Sequence, residues 1–123
     1  MAIKNSKRVY RIGVDARPLS WSVSGVSRVI SQIISAFPDK KNYRFLLYSS
    51  LPCHEDYRDL RLLPNVEWAQ GSGWTTKKAG LWYNAGLPFQ MRRDRLDLFW
   101  GSQQQLPPFL PKGLPAVLTF YVL

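Results

Sequence analysis

The chain has little with which to cross-link itself or hold a metal: one cysteine, Cys53, and one histidine, His54, in 123 residues. A single thiol excludes any intramolecular disulfide and favours a reducing compartment, so a cytoplasmic location is expected. Glu55 and Asp56 follow directly, but adjacent residues do not easily ligate one ion together. With no second Cys/His pair at zinc spacing, no metal and no resident cofactor are expected. One histidine in a proline-flanked loop also gives no Ser/His/Asp set. Acids are scarce: 8 Asp and Glu stand against 17 Lys and Arg, a formal net charge of +9. Such a surface attracts phosphates, nucleic acid or acidic lipid headgroups. The longest near-apolar run, Ala116 to Leu123, is far short of the roughly 20 residues that span a bilayer. The opening MAIKNSKRVYRIG lacks the apolar stretch and cleavage site of a secretory leader. Neither GxGxxG nor GxxxxGK[ST] occurs.

What is present is globular: 46% hydrophobic and 20% charged residues, enough chain for one small domain with a core. Val9 to Asp15 reads as a strand, nearly all apolar at Ile12-Gly13-Val14 as in strands buried on both faces. Val26, Val29, Ile30, Ile33, Ile34 and Phe37 then recur at helical spacing, with Ser27, Arg28, Ser31, Gln32 and Ser35 outward and Pro38 closing the helix. Further strands are predicted at Tyr43 to Tyr48, Asn65 to Ala69, Asp97 to Trp100 and Ala116 to Leu123. A short helix is predicted up to Leu63, and a helix over 75–92 that carries Gly80, Gly86 and Pro88 and is broken or kinked near Gly86. Strand and helix alternate, which predicts an α/β fold: a Rossmann-like parallel sheet with right-handed crossovers and helices on both faces.

Ligands of such sheets bind beyond the carboxyl ends of the strands. Gly25 lies there, at the start of the first helix, where backbone N–H groups are unpaired and the helix dipole is positive. Position alone suits an anion-binding turn, with Ser24 as N-cap, as well as it suits a plain turn glycine. Asp15 and Asp97 sit at opposite ends of their strands, so a carboxylate pair is not expected.

These residues carry a resemblance. IGVDARPLSWSVSGVSRVISQIISAF is similar to the opening of the group 1 retaining GT-B glycosyltransferases, with a strand ending IDAR, a loop, a G-[IV]-G-R-Y-like turn and an apolar helix. LDLFWGSQQQLPPFLPKGLPAVLTFYVL resembles that family's D-[LV]-[FVI]-[HW] strand, proline-rich loop and V-V-T-[IV]-H-D-L strand, and YRFLLYSS falls where the family has its second strand. The resemblance implies that residues 1–123 are a partial N-terminal, acceptor-side Rossmann-like domain, without the C-terminal nucleotide-sugar domain. It further implies a polysaccharide-building enzyme that in complete form transfers sugar, with retention, from a nucleotide-sugar to a glycan or lipid-linked acceptor. Gly25, Val26, Ser27 and Arg28 correspond to the turn facing the donor diphosphate or sugar; Asp15 and Arg17 correspond to loop support.

The chain also departs from that pattern. Ser27 replaces the second turn glycine, leaving a hydroxyl that can donate to phosphate. Tyr121 and Val122 replace a His-Asp pair, so Tyr121 stands where the family histidine meets the donor sugar and brings an O–H without imidazole chemistry. The donor-side glutamate pair is missing, so no transfer is expected from this chain alone. A last strand without a covering helix leaves Val117, Phe120 and Val122 partly uncovered, which predicts marginal stability and self-association.

Lys4, Lys7, Arg8, Arg11, Lys77, Lys78, Arg92, Arg93 and Arg95 are interleaved with Trp74, Trp82, Tyr83 and Phe89. Basic and aromatic residues together suit an anionic membrane surface or single-stranded nucleic acid. Lys77, Lys78, Arg92, Arg93 and Arg95 are the candidate contacts with an anionic surface, as peripheral binding at the inner face of a membrane. The alternative function is a small basic α/β module, binding nucleic acid or a membrane surface without catalysis, with nucleic acid the less favoured partner. Trp100 and Trp68 are expected in the core.

Overall fold

The computed structural model describes residues 8–71, 79–103 and 106–119. Five parallel strands form one sheet in the order β3-β2-β1-β4-β5. They are β1 (Tyr10–Asp15), β2 (Tyr43–Ser49), β3 (Val66–Gln70), β4 (Leu98–Gly101) and β5 (Ala116–Leu118). This is the predicted α/β, Rossmann-like arrangement. The predicted last strand extends to Leu123; residues 120–123 lie outside the described residues.

Alternation along each strand divides the core in two. On one face α1 (Gly25–Ala36) and α2 (Arg58–Arg61) cover Ile12, Val14, Phe45, Leu47, Val66 and Trp100. On the other, a helical run covers Leu46, Tyr48, Ala69 and Phe99. That run is α3 (Ala79–Leu81), a π turn (Trp82–Gly86) and α4 (Leu87–Asp94). The irregularity expected near Gly86 is this π turn, not a full break: Leu87 N–H reaches back to Trp82 O, and Pro88 then falls in the first turn of α4, where a missing N–H is tolerated. Trp82 and Tyr83 are buried here rather than displayed among the basic residues. Gly13 lets this layer close on β1, since a Cβ there would stand 2.3 Å from Leu96 Cδ1 and 2.9 Å from Tyr48 Cε2.

α1 forms because its apolar positions recur every three or four residues and because Ser24 caps it, accepting from Ser27 N–H at 3.3 Å while Ser27 Oγ accepts from Ser24 N–H at 2.8 Å. Two side chains depart from the predicted faces. Ser27 points inward, its hydroxyl hydrogen-bonded to Tyr57 Oη from the turn before α2. Ile33 stays 47% exposed. It borders an open apolar groove of about 290 Å³ with Ile12, Leu98, Trp100 and Val117. Val117 is 50% exposed; Phe120 and Val122 lie outside the described residues. Trp100 is buried and donates its indole N–H to Thr119 Oγ1 at 2.6 Å; Trp68 is half-buried.

Candidate functional site

The chain leaves β1 toward β2 and β3 on one side, then crosses to β4 and β5 on the other, so β1 and β4 flank the switch point. Loops leaving two such strands in opposite directions open a crevice beyond their carboxyl ends. A crevice of about 440 Å³ lies there, lined by Arg17 and Pro18 after β1, Trp21, Ser22, Ser24 and Val26 leading into α1, and Gln103 after β4.

Its base is a buried ion pair. Asp15 ends β1 with no exposed surface, and Arg17 Nε and Nη2 bind its two carboxylate oxygens at 2.9 and 2.7 Å. Isolated, that carboxylate would be costly; the fork of Arg17 matches its geometry. The guanidinium also lies 4.0 Å from the centroid of the Tyr83 ring. Burial opposes its charge, but the hydrogen bond and charge of Asp15 outweigh burial and hold its pKa above the ordinary value. The Tyr83 hydroxyl is pushed up to about 12, by burial first and by Asp15 second. The Gln103 amide, with its oxygen toward the guanidinium, accepts from Arg17 Nε at 3.1 Å and Nη2 at 3.3 Å. Ser102 Oγ donates to Asp15 O and ties the end of β4 to the end of β1. Asp15 and Arg17 therefore brace the loop, and the charge of Arg17 is largely spent on Asp15.

The start of α1 supplies the second wall. Ser24, Ser27 and Arg28 N–H are taken within the capping turn, so the donors left there, among the described residues, are Gly25 and Val26 N–H. A Cβ on Gly25 would meet nothing within 4 Å, so the space in front of this turn is open and the fold itself does not demand glycine. Arg28 is exposed one turn in. Ser27 is different: its hydroxyl is held by Ser24 and Tyr57 inside the core and is not available to a phosphate. Of the turn Gly25 to Arg28, then, Val26 lines the crevice, next to the N-cap Ser24 that precedes the turn.

Tyr121, Lys77 and Lys78 lie outside the described residues. Arg92, Arg93 and Arg95 are exposed but stand near the other end of the sheet, where α4 runs into β4. Asp97 is also at that end: its carboxylate accepts from Arg11 N–H at 2.8 Å and pairs with Arg8, far from Asp15 as its place before β4 predicts. Cys53 and His54 have local roles. His54 Nδ1 accepts from Asp56 N–H at 3.1 Å, capping the short turn Glu55–Tyr57, and burial raises the Cys53 thiol pKa. Among the described residues no group of three or more His, Cys, Asp and Glu side chains is placed to hold a metal ion, and no helix is long and apolar enough to cross a membrane.

Trp21 and Gln103 are lining residues that the sequence pattern did not single out. Trp21 is 63% exposed at the crevice, a ring face available for stacking. Both sit in loops without periodicity; the one signal for them was proximity to the ends of two buried strands. No protein-family model, curated protein or solved structure matches the chain.

Proposed function

We propose that the chain is the acceptor-side domain of a retaining GT-B glycosyltransferase, and that the β1/β4 crevice receives the sugar ligand. The observation that carries this is the open space before Gly25, beside two backbone donors without partners among the described residues and at the sheet's switch point. Arg17 and Gln103 then hold the crevice wall, Trp21 offers a ring face to a pyranose, and Gly25 and Val26 N–H face an anionic oxygen of the donor. The donor itself, a nucleotide-sugar, is held by a second domain across a cleft. In that arrangement the present chain binds and orients, and transfer needs the donor domain.

Gly25→Leu tests this. The added side chain meets no neighbouring atom within 4 Å of its Cβ, and leucine is a better helix former than glycine by up to about 1 kcal/mol, so the fold is kept or strengthened. Titrated with nucleoside-diphosphate sugars and short oligosaccharides, the wild type binds a member of the panel and Gly25→Leu loses it at unchanged melting temperature. Equal binding by both proteins would place the ligand elsewhere.

A further inference from the structure

The opposite end of the sheet carries a second surface, with a different chemistry. Phe89, Arg92 and Arg93 share one face of α4 at helical spacing, while Leu87 and Met91 turn into the core. The proline-rich loop between β4 and β5 runs beside this helix and adds Phe109 and Lys112. Two adjoining depressions result, sharing Arg92 and Pro111. In one, of about 220 Å³, Arg92, Arg95 and Lys112 surround an apolar floor of Met91, Leu96 and Leu114. In the other, of about 240 Å³, Phe89 and Phe109 are 72% and 70% exposed.

Its acid is accounted for. Asp94 accepts the Tyr48 hydroxyl at 2.7 Å and lies 3.8 Å from Arg93 Nε, whereas Arg92, Arg95 and Lys112 have no acidic partner among the described residues. Cations at a helix C-terminus complement its dipole, which accounts for Arg92 and Arg93. It does not account for Lys112 or for two neighbouring exposed phenylalanines, and Arg95, the C-cap of the same helix, holds a left-handed φ of 52° where glycine is favoured.

We infer that this face docks on an anionic bilayer surface, with Arg92, Arg95 and Lys112 meeting lipid phosphates and Phe89 and Phe109 entering the headgroup boundary. Charge complementarity selects the occupant: a chain of net charge +9 presents cations without acidic partners around two apolar side chains. The inference does not rest on the transferase reading, because the crevice lies at the other end of the strands.

The test is sedimentation of the full chain with vesicles of phosphatidylcholine, with and without phosphatidylglycerol, at 0.15 M salt. The wild type binds the anionic vesicles and not the neutral ones. Arg92→Glu/Lys112→Glu lowers partition roughly 25-fold or more, from about fivefold for each cation removed near such a surface. Arg58→Glu/Arg61→Glu, on exposed positions across the molecule, changes net charge equally and leaves partition within about twofold, because charges beyond ~8 Å are screened. Phe89→Ala/Phe109→Ala lowers it by roughly tenfold per ring at unchanged salt dependence. The inference is overturned if the two charge variants lose equally, if the double alanine variant binds like wild type, or if a random oligonucleotide displaces the protein from vesicles and binds the alanine variant as tightly as wild type.

Discussion

Removing Arg17 leaves Asp15 fully buried with its main counter-charge gone. In Arg17→Met the chain stem is kept and the two short hydrogen bonds, at 2.9 and 2.7 Å, are lost. Breaking a buried pair from one side costs about 3 to 5 kcal/mol; the Arg17 side chain is 29% exposed, so water reaches the pair and the lower figure, about 3 kcal/mol, applies. For a domain with roughly 5 to 15 kcal/mol in total, that is a large fraction. In urea unfolding at neutral pH, with a slope of about 1.5 kcal/mol/M, the midpoint falls by about 2 M at constant slope. Adding Asp15→Asn to Arg17→Met removes the stranded charge and recovers part of the loss, so the double variant is more stable than Arg17→Met alone. An Arg17→Met midpoint within 0.5 M of wild type, or no recovery in the double variant, would refute the claim that this pair braces the crevice.

Gly13→Ala forces a Cβ against Leu96, Tyr48 and Phe99 and should cost about 1 to 3 kcal/mol by the same assay, with an unchanged midpoint counting against the close approach. At alkaline pH, Tyr48 and Tyr83 bear on stability. Their hydroxyl pKa values are raised above the unfolded value of 10.0, by burial first and by Asp94 and Asp15 respectively, Tyr83 to about 12. The folded state holds its protons longer, so this contribution is intact below pH 10 and fades as pH rises through the folded values. Melting followed against pH should decline from about pH 10, less steeply in Tyr83→Phe; an identical decline in that variant would remove Tyr83 from the explanation. Ile33→Lys/Val117→Lys, in the groove left open over β4 and β5, should abolish concentration-dependent association in sedimentation velocity, and association persisting in that variant would locate the contact elsewhere.

The parallel sheet was legible because the strand and helix patterns alternate, and α1 because Ile30 and Ile34 repeat at helical spacing. Tertiary context decided the rest. Ser27 reads as an outward polar residue but is buried because Tyr57, from a distant turn, gives its hydroxyl a partner. Ile33 reads as core but, among the described residues, borders an open groove beside β4. The run over 75–92 reads as broken or kinked near Gly86, and what decides between them is one π turn, which places Pro88 where its missing N–H costs little. At the crevice, Asp15, Gly25 and Ser24 follow from local rules for strand ends and helix starts. Gln103 joins them only through the pairing of β1 with β4, and Trp21 through the fold of the loop after β1. Phe109 and Lys112 likewise reach α4 only once the proline-rich loop is placed beside it.

The most direct measurement is backbone amide chemical-shift mapping of the full chain during titration with nucleoside-diphosphate sugars and short neutral oligosaccharides. A sugar crevice at the β1/β4 switch point predicts saturable shifts clustered at Arg17, Trp21, Ser24 to Val26 and Gln103. Shifts confined to α4 and Lys112, or none at millimolar ligand, would contradict it.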